Sequence, residues 1–295
     1  MVERKVNPIG RRLKENGEPG TGLALDLDDR PVRWRVLLHD IAPLLVTILI
    51  LFAGLAVWEW ASGRIVKQLF VSRPTDIWAR FLELAGNGVL ARNLWVTLQE
   101  AFWGFAIGAL IGGVMGLVMG RNQFLAKALL PFVVAFFTMP KLALAPLFII
   151  WFGVGMQMKI VLTATVVYFP VFMSTFAGAR EVSNELLSIV RVMGGKRSYI
   201  GRNIVLPSAM TWFFVGLKLS VPFALLGAVV GELIASNKGT GFLLRRAAGE
   251  FDTAGVFAVL GVLVIVGYGS YELVRFLERR TMRWKEESSL GQGMV

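Results

Sequence analysis

Cysteine is absent from the 295 residues, which excludes a disulfide framework, a thiolate metal site and a cysteine nucleophile. Histidine occurs once, as His39. A lone imidazole cannot complete a zinc site or a Ser-His-Asp set, and beside Asp40, where an apolar run begins, it reads as an interfacial or capping residue. A phosphate loop of the form GxxxxGK[ST] is also missing. Gly194-Gly195-Lys196 comes nearest, but Arg197 follows the lysine and the upstream glycine is lacking. The chain is therefore expected to hold no catalytic residue, metal or cofactor of its own and not to hydrolyse ATP. Charged residues are scarce, at 17%, and they are clustered rather than spread.

What the sequence does contain is apolar. Residues of the AVILMFWYC set make up 55% of the chain and mean hydropathy is +0.63, above the range of soluble domains. Six apolar runs, each near or above the ~20 residues that cross a bilayer, fall at roughly 41–62, 94–119, 127–152, 159–179, 208–234 and 254–276. The expectation is an all-α polytopic membrane protein with about six transmembrane helices. No signal peptide is expected, since the first apolar run starts late and no small-residue cleavage site closes it. The net charge of +11 then marks loops and lipid headgroups rather than nucleic acid. With the N-terminus inside, 20 of the 31 lysines and arginines fall on the cytoplasmic side and 9 outside, leaving Lys141 and Lys218 within apolar runs. Both termini are thus expected in the cytoplasm. Trp58, Trp60, Trp95 and Trp151 sit near outer boundaries and Trp284 past the inner one, as interfacial anchors do. Residues 1–38 read as a polar cytoplasmic tail, 39–285 as the membrane domain and 286–295 as a C-terminal tail. The segment Arg64 to Leu84, with Pro74, reads as an outer amphipathic piece.

Two runs carry unusual residues. The second holds Gly104, Gly108, Gly112, Gly116 and Gly120 in unbroken i, i+4 register. Helices in lipid associate through close backbone approach at small residues, so this run is expected to press against another helix, in this chain or in a second copy. The third contains Thr138-Met139-Pro140-Lys141 with Pro146 shortly after. Two prolines six apart break the helical ladder near mid-membrane, where freed carbonyls must face protein or a watery cavity. Lys141 sits in that break. An intramembrane cation is either half of a structural pair, with Glu100 or Glu232, or an anion-attracting group on a solute path. Thr138, Pro140, Lys141, Glu100 and Glu232 are the candidate path residues. Lys218 lies near the cytoplasmic surface, where snorkelling accounts for it.

The segment 181–207 is amphipathic and basic. Leu186, Leu187, Ile189, Val190 and Met193 recur at helical spacing, predicting a short helix over Ser183 to Met193 with one apolar face. Gly194-Gly195 supplies the turn, a second short basic helix runs from Lys196 to Asn203, and Pro207 restarts a membrane helix. Gly194, nine residues, then Ile204-x-Leu206-Pro207 resembles the EAA-type cytoplasmic loop of ABC-importer permeases, with Ser188, Ile189 and Val190 where the family has Glu-Ala-Ala. Thr97 to Phe105, the stretch Pro140 to Lys159, Glu232 and the Gly239-Thr240-Gly241 turn resemble the nitrate/sulfonate/taurine-type subgroup, so that the likeness covers roughly residues 74 to 285.

The resemblance implies a type I importer transmembrane domain that works as a homodimer. Two cytoplasmic ATPase subunits would carry ATP and Mg, and an extracytoplasmic solute-binding protein would deliver the cargo across the bacterial inner membrane. It also implies that Leu186, Leu187, Val190, Arg191, Met193, Gly194, Gly195 and Arg197 dock a coupling helix on the ATPase. The cargo it suggests is a small anion such as a sulfonate or nitrate, or a heteroaromatic vitamin precursor. An ATP-independent secondary transporter or channel is the alternative; it would account for Lys141 but leave the Gly194 loop without a purpose.

Overall fold

The computed structural model describes residues 33–65 and 67–282. Most of the tail expected over 1–38, all of the tail expected over 286–295, and Trp284 lie outside the described residues. Among the described residues every regular element is a helix: α1 (Arg33–Ala61), α2 (Pro74–Gly86), α3 (Val89–Arg121), α4 (Gln123–Thr138), α5 (Ala145–Phe152), α6 (Met156–Glu181), α7 (Asn184–Val192), α8 (Arg197–Ile200), α9 (Leu206–Ala235), α10 (Thr240–Gly249) and α11 (Thr253–Thr281). A 3-10 turn (Lys141–Leu144) precedes α5 and a π-turn (Gly201–Val205) precedes α9.

Among the described residues, four helical stretches are long and apolar enough to cross a membrane: Val89–Arg121, Met156–Glu181, Ser198–Ala235 and Thr253–Thr281. The run expected at 127–152 is not one helix. Gln123–Thr138 and Lys141–Phe152 meet at a bend of 83°, because Pro140 cannot continue the ladder and forces the residue before it into extended backbone. Counting that pair as one span gives five. The first expected run falls in α1, which begins at Arg33, inside the expected tail, and whose described apolar part is Leu45–Ala61.

The chain divides into two compact units, Met1–Gly54 and Leu55–Val295. In the first, α1 contains Pro43, whose carbonyl accepts from Thr47 Oγ1 at 2.9 Å. In the second, α6 is the central helix, parallel to α3 on one side and antiparallel to α9 on the other. The glycine stripe explains the first contact. A Cβ on Gly108, Gly112 or Gly116 would lie 2.5–2.7 Å from the carbonyl oxygens of Ala164, Tyr168 and Phe172; Gly104 meets Ile160 O and Thr163, and Gly120 meets Phe176 O and Ala179. Each step of four on α3 is matched by a step of four on α6, so the stripe's partner lies within this chain. α9 uses the same device, with Gly216 against Val171, Gly227 against Thr163 and Gly231 against Lys159. Phe172, Met158, Leu162, Val167 and Val171 of α6 are fully buried as a result.

Candidate functional site

Three places in the second unit hold chemistry within or beside the helices. The first is a buried polar cluster where α3, α6, α9 and α10 converge. On α3 the glycine stripe continues as Asn93, Thr97 and Glu100, so one face changes from backbone contact to hydrogen bonding. Lys159, in the first turn of α6, places its Nζ 2.6 Å from Glu100 Oε1 and donates to Ser236 Oγ at 3.0 Å. Glu232 accepts from Thr97 Oγ1 at 2.7 Å and from the Gly241 backbone N–H at 2.6 Å. Thr97 Oγ1 in turn accepts from Thr240 N at 2.9 Å, and Asn93 Oδ1 accepts from Gly239 N at 2.8 Å. Thr97, Glu100, Glu232 and Thr240 are all 0% exposed. Gly239 has φ 102, and a Cβ there would enter the Glu232 carboxyl group, so only glycine allows the N-terminus of α10 to close over that group.

This cluster revises the expectations for the carboxylates. Neither Glu100 nor Glu232 pairs with Lys141, and neither lies in the cavity that Lys141 lines. They bind helices together instead, with Lys159 as the cation. Lys159 looks like an outer-surface charge in the sequence, yet it is buried. Lys218 is not a simple snorkelling residue either: its Nζ lies 2.6 Å from Glu278 Oε2 of α11.

The second place is the α4–α5 break. Lys141 Nζ donates to Phe137 O at 2.6 Å and, more weakly, to Met139 O at 3.5 Å, two carbonyls that the proline break leaves without helical donors. The ammonium also lies 4.5 Å from the Phe169 ring centroid and 4.8 Å from that of Phe137. It lines a cavity of about 450 Å³ together with Ile107, Ile111, Met139, Thr165 and Tyr168. Thr138 turns its hydroxyl back to Ala135 O at 2.8 Å, so it caps its own helix.

The third is the loop after α6. Ser183 caps α7, its Oγ accepting from Leu186 N at 3.2 Å, and Glu185 in the first turn favours the helix dipole. At the other end Gly195 N bonds Val190 O at 2.9 Å and Gly194 N bonds Arg191 O at 3.0 Å, with Gly194 at φ 86. That pair of bonds around a left-handed glycine is a Schellman stop. A Cβ on Gly195 would lie 2.6 Å from Val190 Cγ1. The expected single apolar face is split. Leu187 packs inward with Ile200 and Val205, flanked by Val190, whereas Leu186, Ile189, Val192 and Met193 face out, Val192 being 89% and Met193 81% exposed. Arg191 lines a cleft with Arg121 and Arg180. Arg197 opens α8, and its side chain lies outside those described.

Residues 104–283 match the sequence model of the "Binding-protein-dependent transport system inner membrane component" family. The chain belongs to that family. It is a permease subunit of an ABC importer, a multi-pass inner-membrane protein whose partners are an ATPase and a binding protein. Among similar proteins, the permease is 34% identical, over 78% of its length and 84% of the relative's, to a Bacillus subtilis protein provisionally named an aliphatic sulfonates transport permease, SsuC. It is 29% identical, over 79% of its length and 93% of the relative's, to the formylaminopyrimidine transport permease protein ThiX of Halalkalibacterium halodurans. An inward-facing structure of the MetNI methionine ABC transporter shares the permease's fold, with a TM-score of 0.56 at 21% identity over 66% of this chain and 95% of that one.

Proposed function

We propose that this permease works as a homodimer with both termini in the cytoplasm, and that residues 181–207 transmit the ATPase cycle to the membrane helices. The observation that carries the proposal is the tip of α7. Val192 and Met193 are exposed at the end of a capped helix, held there by the Gly194 stop and by the inward packing of Leu187. Exposed apolar residues on a rigid mount fit an amphipathic helix laid in a partner's groove. ATP and Mg would bind on the partner, and this chain would carry no ATPase site. Leu186, Ile189, Val192 and Met193 form the contact, while Leu187 and Val190 hold the helix in place. Co-purification with the cognate ATPase subunit, and stimulation of its hydrolysis, test the reading. Both should be lost in Val192→Asp/Met193→Asp while the protein still inserts; retention of both overturns it.

The cavity at Lys141 lies on the solute path in this reading. Two of the ammonium's three donors are taken by Phe137 O and Met139 O, which leaves one for a cargo. The Lys141 ammonium and the aromatic rings around the break suit a small anion or a flat heteroaromatic solute, in keeping with the aliphatic sulfonates and formylaminopyrimidine named for the two relatives. Glu100 and Glu232 stay outside the path as helix ties. Uptake should fall at least tenfold in Lys141→Met and be partly kept in Lys141→Arg; full uptake by a folded Lys141→Met protein removes the residue from the path.

A further inference from the structure

We propose that the permease holds an anionic phospholipid in the cleft where α3, α4, α6 and α7 come together, with the phosphate among arginines and an acyl chain along α4. A cavity of about 360 Å³ is lined by Arg121, Arg180 and Arg191, from the ends of α3 and α6 and the last turn of α7. A second, of about 500 Å³, is lined by Leu130, Pro131 and Val134 of α4, with Lys127 at its side. Gln123 and Arg180 line both, so the two adjoin.

Among the described residues, no carboxylate lies within ion-pair reach of the three arginines or of Lys127. Glu181, next in the chain to Arg180, is engaged elsewhere by Trp212 Nε1 at 2.5 Å and Ser208 Oγ at 3.3 Å. Arg180 lays its guanidinium over the Phe176 ring, its Cζ 5.3 Å from the centroid, which orients the planar group and leaves its N–H edges to the cleft.

Guanidinium groups take phosphate oxygens in bidentate fashion, and three of them without counter-charge form an anion site. The apolar extension selects among anions. Inorganic phosphate would fill only the arginine end, whereas a lipid fills both. Arg121 and Arg180 stand where membrane-crossing helices reach the headgroup layer, and basic pockets between helices at that depth suit anionic headgroups. The groove follows α4 into the apolar zone, away from the exposed tip of α7, which argues for lipid over the ATPase as its occupant.

The test is native mass spectrometry of the full chain in detergent with dioleoyl phosphatidylglycerol, dioleoyl phosphatidylcholine or inorganic phosphate. Phosphatidylglycerol should be retained at least tenfold better than phosphatidylcholine, and Arg121→Gln/Arg180→Gln should remove the preference. Leu130→Trp, which fills the groove and leaves the arginines intact, should lower phosphatidylglycerol retention on its own; it decides the matter if the arginine variant fails to fold. Equal retention of the two lipids overturns the proposal. So does a Leu130→Trp protein that binds phosphatidylglycerol normally while inorganic phosphate displaces it, the signature of a free-phosphate site. Release of the lipid on adding the ATPase subunit would assign the cleft to that partner instead.

Discussion

The two ends of the α3–α6–α9 block are closed by opposite means. At the end bearing α10, the closure is polar. Lys159 and Glu100 meet at 2.6 Å in full burial, Glu232 is held by Thr97 and by the first turn of α10, and Gly239 gives up its side chain to let that turn approach. At the end bearing α7, beside the bonds of Ser208 and Trp212 to Glu181, the seat of the loop is apolar. Leu187, Ile200 and Val205 pack beneath the loop, and the residues left over face outward. Buried hydrogen-bonded charges have one good arrangement and lose heavily if a member leaves. An apolar seat tolerates small shifts, because dispersion and burial are not directional. The polar end is thus built to keep its geometry, and the apolar end to carry a tip that a partner can push. Between them the α4–α5 break adds a bend that no interhelical ion pair restrains, its lysine being engaged by backbone carbonyls of the break and by the Phe169 ring of α6.

Removing the buried cation gives the largest effect. Lys159→Met strands Glu100 in a dry interior and should cost about 3–5 kcal/mol, read as a fall in melting temperature in detergent; the added change Glu100→Gln should recover part of it. An unchanged melting temperature would mean that the polar end is not a lock. Gly112→Leu comes next. Its Cβ alone would lie 2.6 Å from Tyr168 O, so α3 and α6 must separate, at a cost of about 1–3 kcal/mol or more. If thermal unfolding is unaffected, the block does not behave as one unit. The third effect is smaller in stability and larger in function. Gly194→Val places a β-branched residue at φ 86, a local strain of about 1 kcal/mol, with open space around the side chain, so the protein should insert and lose little melting temperature while uptake drops. Normal uptake in that variant would show that the loop's exact turn is not needed at the apolar end.

The glycine stripe is legible in the sequence because five residues at a spacing of four leave a mark. Its partner is not, since Ile160, Ala164, Tyr168, Phe172 and Phe176 offer their carbonyl oxygens, which no residue type encodes. The same holds at Lys159. A lysine at the edge of an apolar run looks like a surface charge, and only the register of Asn93, Thr97 and Glu100 with the stripe hints that α3 carries a polar continuation facing inward. Glu232 and Gly239 show their connection only after α9 and α10 fold against each other. The loop's turn could be read from Gly194, Ile204, Leu206 and Pro207. Which of its apolar residues face inward could not, because a nine-residue amphipathic helix beside a membrane has candidate partners on both sides. Lys141 was visible as an anomaly through Pro140 and Pro146. Its bonds to Phe137 O and Met139 O depend on the 83° bend, which proline permits but does not fix.

The contrast between the two ends rests most on the role given to the exposed tip of α7. ATP hydrolysis by the importer reconstituted in lipid, with binding protein and cargo present, compares the permease with its Val192→Asp/Met193→Asp form at matched insertion and melting temperature. Cargo-stimulated hydrolysis should disappear, and the ATPase subunits should no longer co-purify. Stimulation at the unaltered level, with the complex intact, would contradict the account.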